Sequence, residues 1–190
     1  MKETNLYKIR DQALKSGRAV FSIQQLANLI CKPKAVATVY SLRLVKKGLA
    51  KRLLRGKITF VEDDYVIASQ LFEPSYVSLA SALLFHGLIT QIPSKVECAT
   101  PKNSKTFAGL GISYHKIPPS LFLGFARHAK GESYVLVADA EKAAIDMVYL
   151  NMMPKSLLSD IAGKLDRNKM EEYVRRFRGR GAKKLRRLLL

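Results

Sequence analysis

The sequence predicts an α+β fold in two domains followed by a basic arm, and three observations carry that prediction. Segments with apolar residues three and four apart are interleaved with short extended runs, and beyond residue 90 the strands precede the helices. At 190 residues and 48% hydrophobic, the chain is long enough to bury a real core, in one large or two small domains. Charge divides it. Residues 1–60 carry fourteen Lys or Arg against two acids, residues 164–190 carry eleven against three, and residues 61–163 carry eight against ten. Cations gathered this densely repel one another in the folded state, so a polyanion is the expected partner, most commonly the phosphates of nucleic acid. The expected division is residues 1–64, 65–174 and 175–190.

In order, residues 3–16 place Leu6, Ile9, Ala13 and Leu14 at helical spacing, with Gly17 at the stop. Residues 19–21 are a short extended run. Ser22 then stands as an N-cap before residues 23–30, where its hydroxyl can take up a free amide of a second helix. Pro33 suits the first turn of a third helix, because its missing N–H would be unpaired there anyway. Val36, Ala37, Tyr40 and Leu44 repeat at three and four residues until Gly48 ends that helix. Residues 49–54 and 57–61 read as strands flanking Arg55-Gly56, where glycine supplies the positive φ of a tight hairpin. Helix, short strand, helix, helix and hairpin is the order of winged helix-turn-helix domains. Residues 44–49 resemble the end of their recognition helix and the entry to the wing.

Such a fold sets its third helix in the major groove and its wing along the backbone or in the minor groove. With Tyr40 as the centre of the buried face, steps of about 100° put Lys34, Ala35, Thr38 and Leu42 outward and Ser41 at the margin. Lys34, Thr38 and Ser41 are therefore the candidates for base edges, and Lys32 and Arg43 for phosphate. Lys51, Arg52, Arg55 and Lys57 are the candidates for the wing's phosphate contacts. Leu42 and Val45 are apolar on the outward side, and the sequence leaves open whether they meet DNA, a second domain or a second subunit.

Beyond the hairpin, Asp63 and Asp64 read as a solvated boundary, since adjacent side chains of an extended segment point to opposite faces. Ser78 is placed to cap a short helix over residues 79–85 that Gly87 ends. Residues 95–100, 106–117, 121–126 and 133–138 look extended, with Pro118 and Pro119 as a break. Asp139 is placed to cap a helix over 140–150 whose apolar side is Ala143, Ala144, Met147, Val148 and Leu150. The run at 76–88 with Gln91, Ile92 and Pro93 behind it, the segments 106–117 and 121–124, and the Ala138, Asp139, Glu141, Lys142, Asp146 pattern together resemble the effector domain of AbiEi-type antitoxins. With the preceding helices, the resemblance covers residues 5–165. It implies a mixed α/β antitoxin domain behind the winged helix, in a cytoplasmic transcriptional repressor of a type IV toxin–antitoxin system. Such a repressor binds double-stranded DNA repeats in its own promoter and counteracts a nucleotidyltransferase-like toxin without a stable complex.

The expectation is that the chain is not an enzyme and needs no cofactor or metal. On a helix, Asp139, Glu141 and Lys142 point in three directions, whereas metal-dependent nucleases need an acid and a lysine two apart on one strand. A capping Asp139 and a surface ion pair between Lys142 and Asp146 account for the same residues. His86, His115 and His128 are too scattered for zinc, and His86 is expected on the terminal carbonyls of its own helix. The Gly109-Leu-Gly111 run lacks the Lys-Ser/Thr of a phosphate loop. The alternative reading is a nucleic-acid-processing enzyme with a nuclease-like central domain, or an RNA-associated factor, delivered by the winged helix.

Residues 156–165 and 168–177 read as two further helices. After them come Arg175, Arg176, Arg178, Arg180, Lys183, Lys184, Arg186 and Arg187 without an acid, expected as an auxiliary nucleic-acid contact on a mobile or partly helical arm. A weaker alternative sets Leu185 and Leu188 to Leu190 on anionic lipid. Cys31 and Cys98 lie far apart behind a start with no apolar leader, and the most apolar stretch, 76–89, is too short and polar to span a bilayer. A cytosolic, reduced protein with no membrane segment is expected.

Overall fold

The structure, a computed structural model, describes residues 5–177, 183 and 185–187. It is an α+β protein that divides into two compact units. One comprises residues 1–71 with 128–135, and the other 72–127 with 136–190.

In the first unit, α1 (Leu6–Lys15) buries Ile9 and Ala13, as their spacing requires. β1 (Val20–Ser22) leads directly into α2 (Ile23–Ile30). Ser22 closes a capping box: its hydroxyl accepts from the Gln25 amide at 3.2 Å and the Gln25 side chain accepts from the Ser22 amide at 2.8 Å. α3 (Lys34–Lys46) starts after Pro33, which stands at the N-cap rather than in the first turn. It ends in a Schellman turn, with Gly48 at φ +67° and the Leu49 amide on the Leu44 carbonyl at 2.9 Å. β2 (Lys51–Leu54) and β3 (Lys57–Thr59) form the hairpin, and β1 joins it in the order β1-β3-β2. Its turn has Gly56 at φ +76°, whose carbonyl accepts from the Ile23 amide at 3.1 Å and so ties the hairpin to the head of α2. Ile9, Phe21, Leu26, Ala37, Leu44 and Ile58 make the core.

This unit does not stop at the charge boundary. Asp63, expected as a solvated residue, accepts from the Val66 amide at 3.0 Å and opens α4 (Asp64–Leu71), a helix with no expected counterpart. Gln70 on α4 is buried and bridges the unit. Its carbonyl oxygen takes the Ala19 amide at 2.8 Å, and its amide donates to the Ser133 hydroxyl at 3.2 Å and the Tyr134 carbonyl at 3.0 Å.

The second unit holds most of a six-stranded sheet ordered β6-β7-β5-β4-β9-β8. Its strands are β4 (Tyr76–Val77), β5 (Val96–Thr100), β6 (Lys105–Phe107), β7 (Ile112–Lys116), β8 (Phe125–Lys130) and β9 (Ser133–Ala138), and the 128–135 hairpin tip belongs to the first unit. The extended run expected over 106–117 is broken by a 3-10 turn at Ala108–Leu110, so β6 folds back antiparallel on β7. Residues 121–126 likewise begin in a 3-10 turn, Pro119–Leu121, before β8. The helices are α5 (Leu79–Phe85), α6 (Ala140–Tyr149), α7 (Lys155–Ile161) and α8 (Arg167–Arg175). Asp166 caps α8, accepting from the Asn168 and Lys169 amides at 2.9 and 3.2 Å. Among the described residues no helix is long and apolar enough to cross a membrane.

The basic arm departs from expectation where it is described. Phe177 and Leu185 are buried in a core with Leu121, Ile145, Val148, Tyr173 and Val174, so Leu185 is not a lipid contact. Arg178, Arg180 and Lys184, and Leu188 to Leu190, lie outside the described residues.

Candidate nucleic-acid interface

The rotation of α3 about its own axis decides which side chains can reach a ligand. The buried face is Ala37, Ser41 and Leu44, not one centred on Tyr40, which is only half-buried and carries the Arg43 guanidinium 5.9 Å from its ring centroid. Two expectations fall with this. Ser41 is 5% exposed and its hydroxyl donates to the Thr38 carbonyl at 2.7 Å, so it is not available to a base. Val45 packs on the core, because it lies four residues after buried Ser41 and shares its side of the helix.

Stepping about 100° per residue from the observed buried face puts Ala35, Val39, Leu42 and Lys46 at the outer ridge. Thr38 lies on one flank and Arg43 on the other, and both are exposed, as is Lys34. Val39 and Lys46 were not among the expected contacts. The exposure of Val39, at 47%, was the signal that sequence periodicity alone could not supply.

On the hairpin, Lys51, Arg52 and Arg55 are exposed and Lys32, before α3, is half-buried. Lys57 is different: its ammonium donates to the Leu71 carbonyl at the end of α4, so it staples the hairpin to that helix instead of facing a phosphate. The reason is α4 itself, which supplies an unpaired terminal carbonyl within reach. No Asp or Glu occurs between Asp11 and Glu62, so nothing within that stretch neutralises these cations. In the second unit, Arg175 and Arg176 are exposed but lie 3.8 and 3.4 Å from Glu171 and Glu172. Lys183, Arg186 and Arg187 are exposed.

The carboxylates considered for chemistry are arranged for structure. Lys142 and Asp146 are a fully buried pair, not a surface one. The second Asp146 oxygen accepts from the Tyr76 hydroxyl at 2.9 Å and the Ser78 hydroxyl at 2.8 Å. Ser78 therefore spends its hydroxyl on Asp146 and does not cap α5. Burial first, and then the Asp146 charge, push the Tyr76 phenol well above its ordinary pKa. Asp139 likewise makes no side-chain cap; it accepts from the Tyr173 hydroxyl at 2.6 Å and from Lys169 at 3.0 Å. Partial burial raises the Asp139 pKa, but those hydrogen bonds and the Lys169 charge outweigh it and hold the carboxyl below its ordinary value. Glu141 accepts the Asp166 amide at 3.1 Å. His86 Nε2 donates to the Ala138 carbonyl at 2.8 Å, not to the end of its own helix.

A groove of about 920 Å³ in the second unit has Glu97 3.5 Å from His115 on its floor, beside Ser113 and Thr106. Its charged lining is Lys95 against Glu97 and Asp160, which suits no polyanion. No family model matches the chain, and no curated protein matches it.

Proposed function

We propose that the chain is a sequence-specific DNA-binding repressor whose first unit is a winged helix-turn-helix and whose second is an effector domain of the AbiEi antitoxin type. In that reading it represses its own operon through promoter repeats and counteracts a nucleotidyltransferase-like toxin in the cytoplasm. The observation that carries the DNA-binding part is the acid-free stretch from residue 12 to 61, which displays Lys34, Thr38, Arg43, Lys46, Lys51, Arg52 and Arg55 on a solvent-facing helix and the hairpin after it. Cations at that density on consecutive elements are the footprint of a phosphate backbone. The helix supplies groups that reach base edges, and the hairpin supplies positive charge to phosphate.

The test is fluorescence anisotropy with duplex DNA from upstream of the chain's own gene against a scrambled duplex. Lys34→Ala is expected to lower affinity for the native duplex by about 5- to 100-fold and for the scrambled one far less, as loss of a base contact does. Arg52→Gln and Arg55→Gln should weaken both about equally. Equal affinity of the unmodified protein for the two duplexes, or metal-dependent cleavage of DNA or RNA that is lost with Glu141→Gln, would overturn this reading.

A further inference from the structure

We propose that the outer ridge of α3, built by Ala35, Val39 and Leu42, reads thymine C5-methyl groups in the major groove, and that Leu42 and Val39 set the sequence preference while the neighbouring cations supply affinity. This rests on the DNA-binding reading above.

The ridge follows from the observed rotation of the helix. Ala37, Ser41 and Leu44 take the core side, so Ala35, Val39 and Leu42, at spacings of four and three, face away from it. Leu42 is 59% and Val39 47% exposed, although the same unit has an apolar core that takes Leu44 and Ala37 completely. Isolated exposed aliphatics are ordinary, but these two are neighbours on one helix face. They are also framed by cations: Lys34 on one side, Arg43 on the other, Lys46 at the end and the hairpin cations after it.

An apolar strip between cationic margins is the complement of a duplex groove, where phosphates line the rims and the thymine methyl is the apolar group on the floor. It is a poor complement to a second copy of this chain, because a twofold contact on this face would set its cations against themselves with no acid in the stretch to pair them. The hydroxyl of Thr38 is already donated to the Lys34 carbonyl at 3.0 Å, so its methyl adds to the same surface.

The experiment selects bound sequences from a random duplex library with the full chain, then rebuilds the best duplex with uracil for thymine, one position at a time. Uracil pairs as thymine does and removes only the methyl. Removing a contacted methyl is expected to weaken binding about fourfold. Leu42→Ala should weaken binding to the thymine duplex by a similar factor and make that uracil substitution neutral, with Val39→Ala doing the same at a second thymine. Because both side chains are exposed, circular dichroism melts of the variants should match the parent.

Neutral uracil substitution at every position, or undiminished thymine preference in both variants, would overturn the inference while leaving DNA binding intact. A Leu42→Ala variant with unchanged DNA affinity but an altered sedimentation coefficient would also overturn it, by making the ridge a subunit contact. If the library yields no enriched sequence, the failure lies with the DNA-binding reading and the inference falls with it.

Discussion

Lys142 and Asp146 show what spacing tells and what it omits. A separation of four on a helix guarantees that the two side chains meet, and they do. Whether they meet in water depends on what lies over them. Here Tyr76 from β4 and Ser78 before α5 supply two hydroxyls to the carboxylate, and Gly124, at φ +73°, lets backbone pass so close that a Cβ there would stand 3.0 Å from Lys142 Cγ. A buried pair is costly to break because the surviving charge has no partner. Lys142→Met should therefore cost about 3–5 kcal/mol in urea unfolding, where a surface pair would cost under about 1. Asp139 carries a second prediction. Its pKa is held down in the folded state, so its contribution is complete above the unfolded value of about 3.9 and is lost as pH falls through the lower folded value. Asp139→Asn should lower Tm at pH 7, and the difference from the parent should shrink below about pH 4; a pH-independent difference would assign Asp139 another role.

Among elements, α3 is the instructive one because it carries two apolar stripes. Ala37 and Leu44 form one, and Ala35, Val39 and Leu42 the other, so the period locates the helix without choosing its inner side. The choice is made by α1, α2 and the hairpin, which offer a cavity that Leu44 fills and Leu42 cannot reach. Leu44→Ala should cost about 2–5 kcal/mol, and Leu42→Ala within about 0.5 kcal/mol, both read from urea unfolding. Helix α4 was illegible for the opposite reason. Its residues from Val66 to Leu71 are all buried, including Ser69 and Gln70, so no polar face marks the period. Strand β4, two residues long, is defined only by its neighbours β5 and β9.

For the whole molecule, charge and packing draw different maps. The sign change near residues 62–64 is real, but packing carries the first unit to Leu71 and adds residues 128–135 from far along the chain. The C-terminal cations likewise are not simply a tail, because Leu185 sits in a core between charged neighbours. Shortening the chain there would remove core as well as charge. Neutralising only Arg186 and Arg187 with Gln separates the two. If both lie on phosphate, the slope of log K for DNA against log salt should become shallower by about 1.8, at about 0.9 per contact. An unchanged slope would place these arginines off the DNA.

By itself the sequence determined the element order from α1 to β3, the capped start of α2, the turns at Gly48 and Gly56, the helix after β9 and the uneven charge, because each rests on local chemistry: a period, a cap, a backbone angle or a composition. Only the tertiary structure decided which stripe of α3 is buried, that Ser41 and Lys57 are taken up internally, and that Lys142 and Asp146 lie in the dark with Tyr76. Those outcomes depend on which distant segment covers a side chain. A carbonyl on α4 or a hydroxyl on β4 claims its partner through space, at separations that no local pattern encodes.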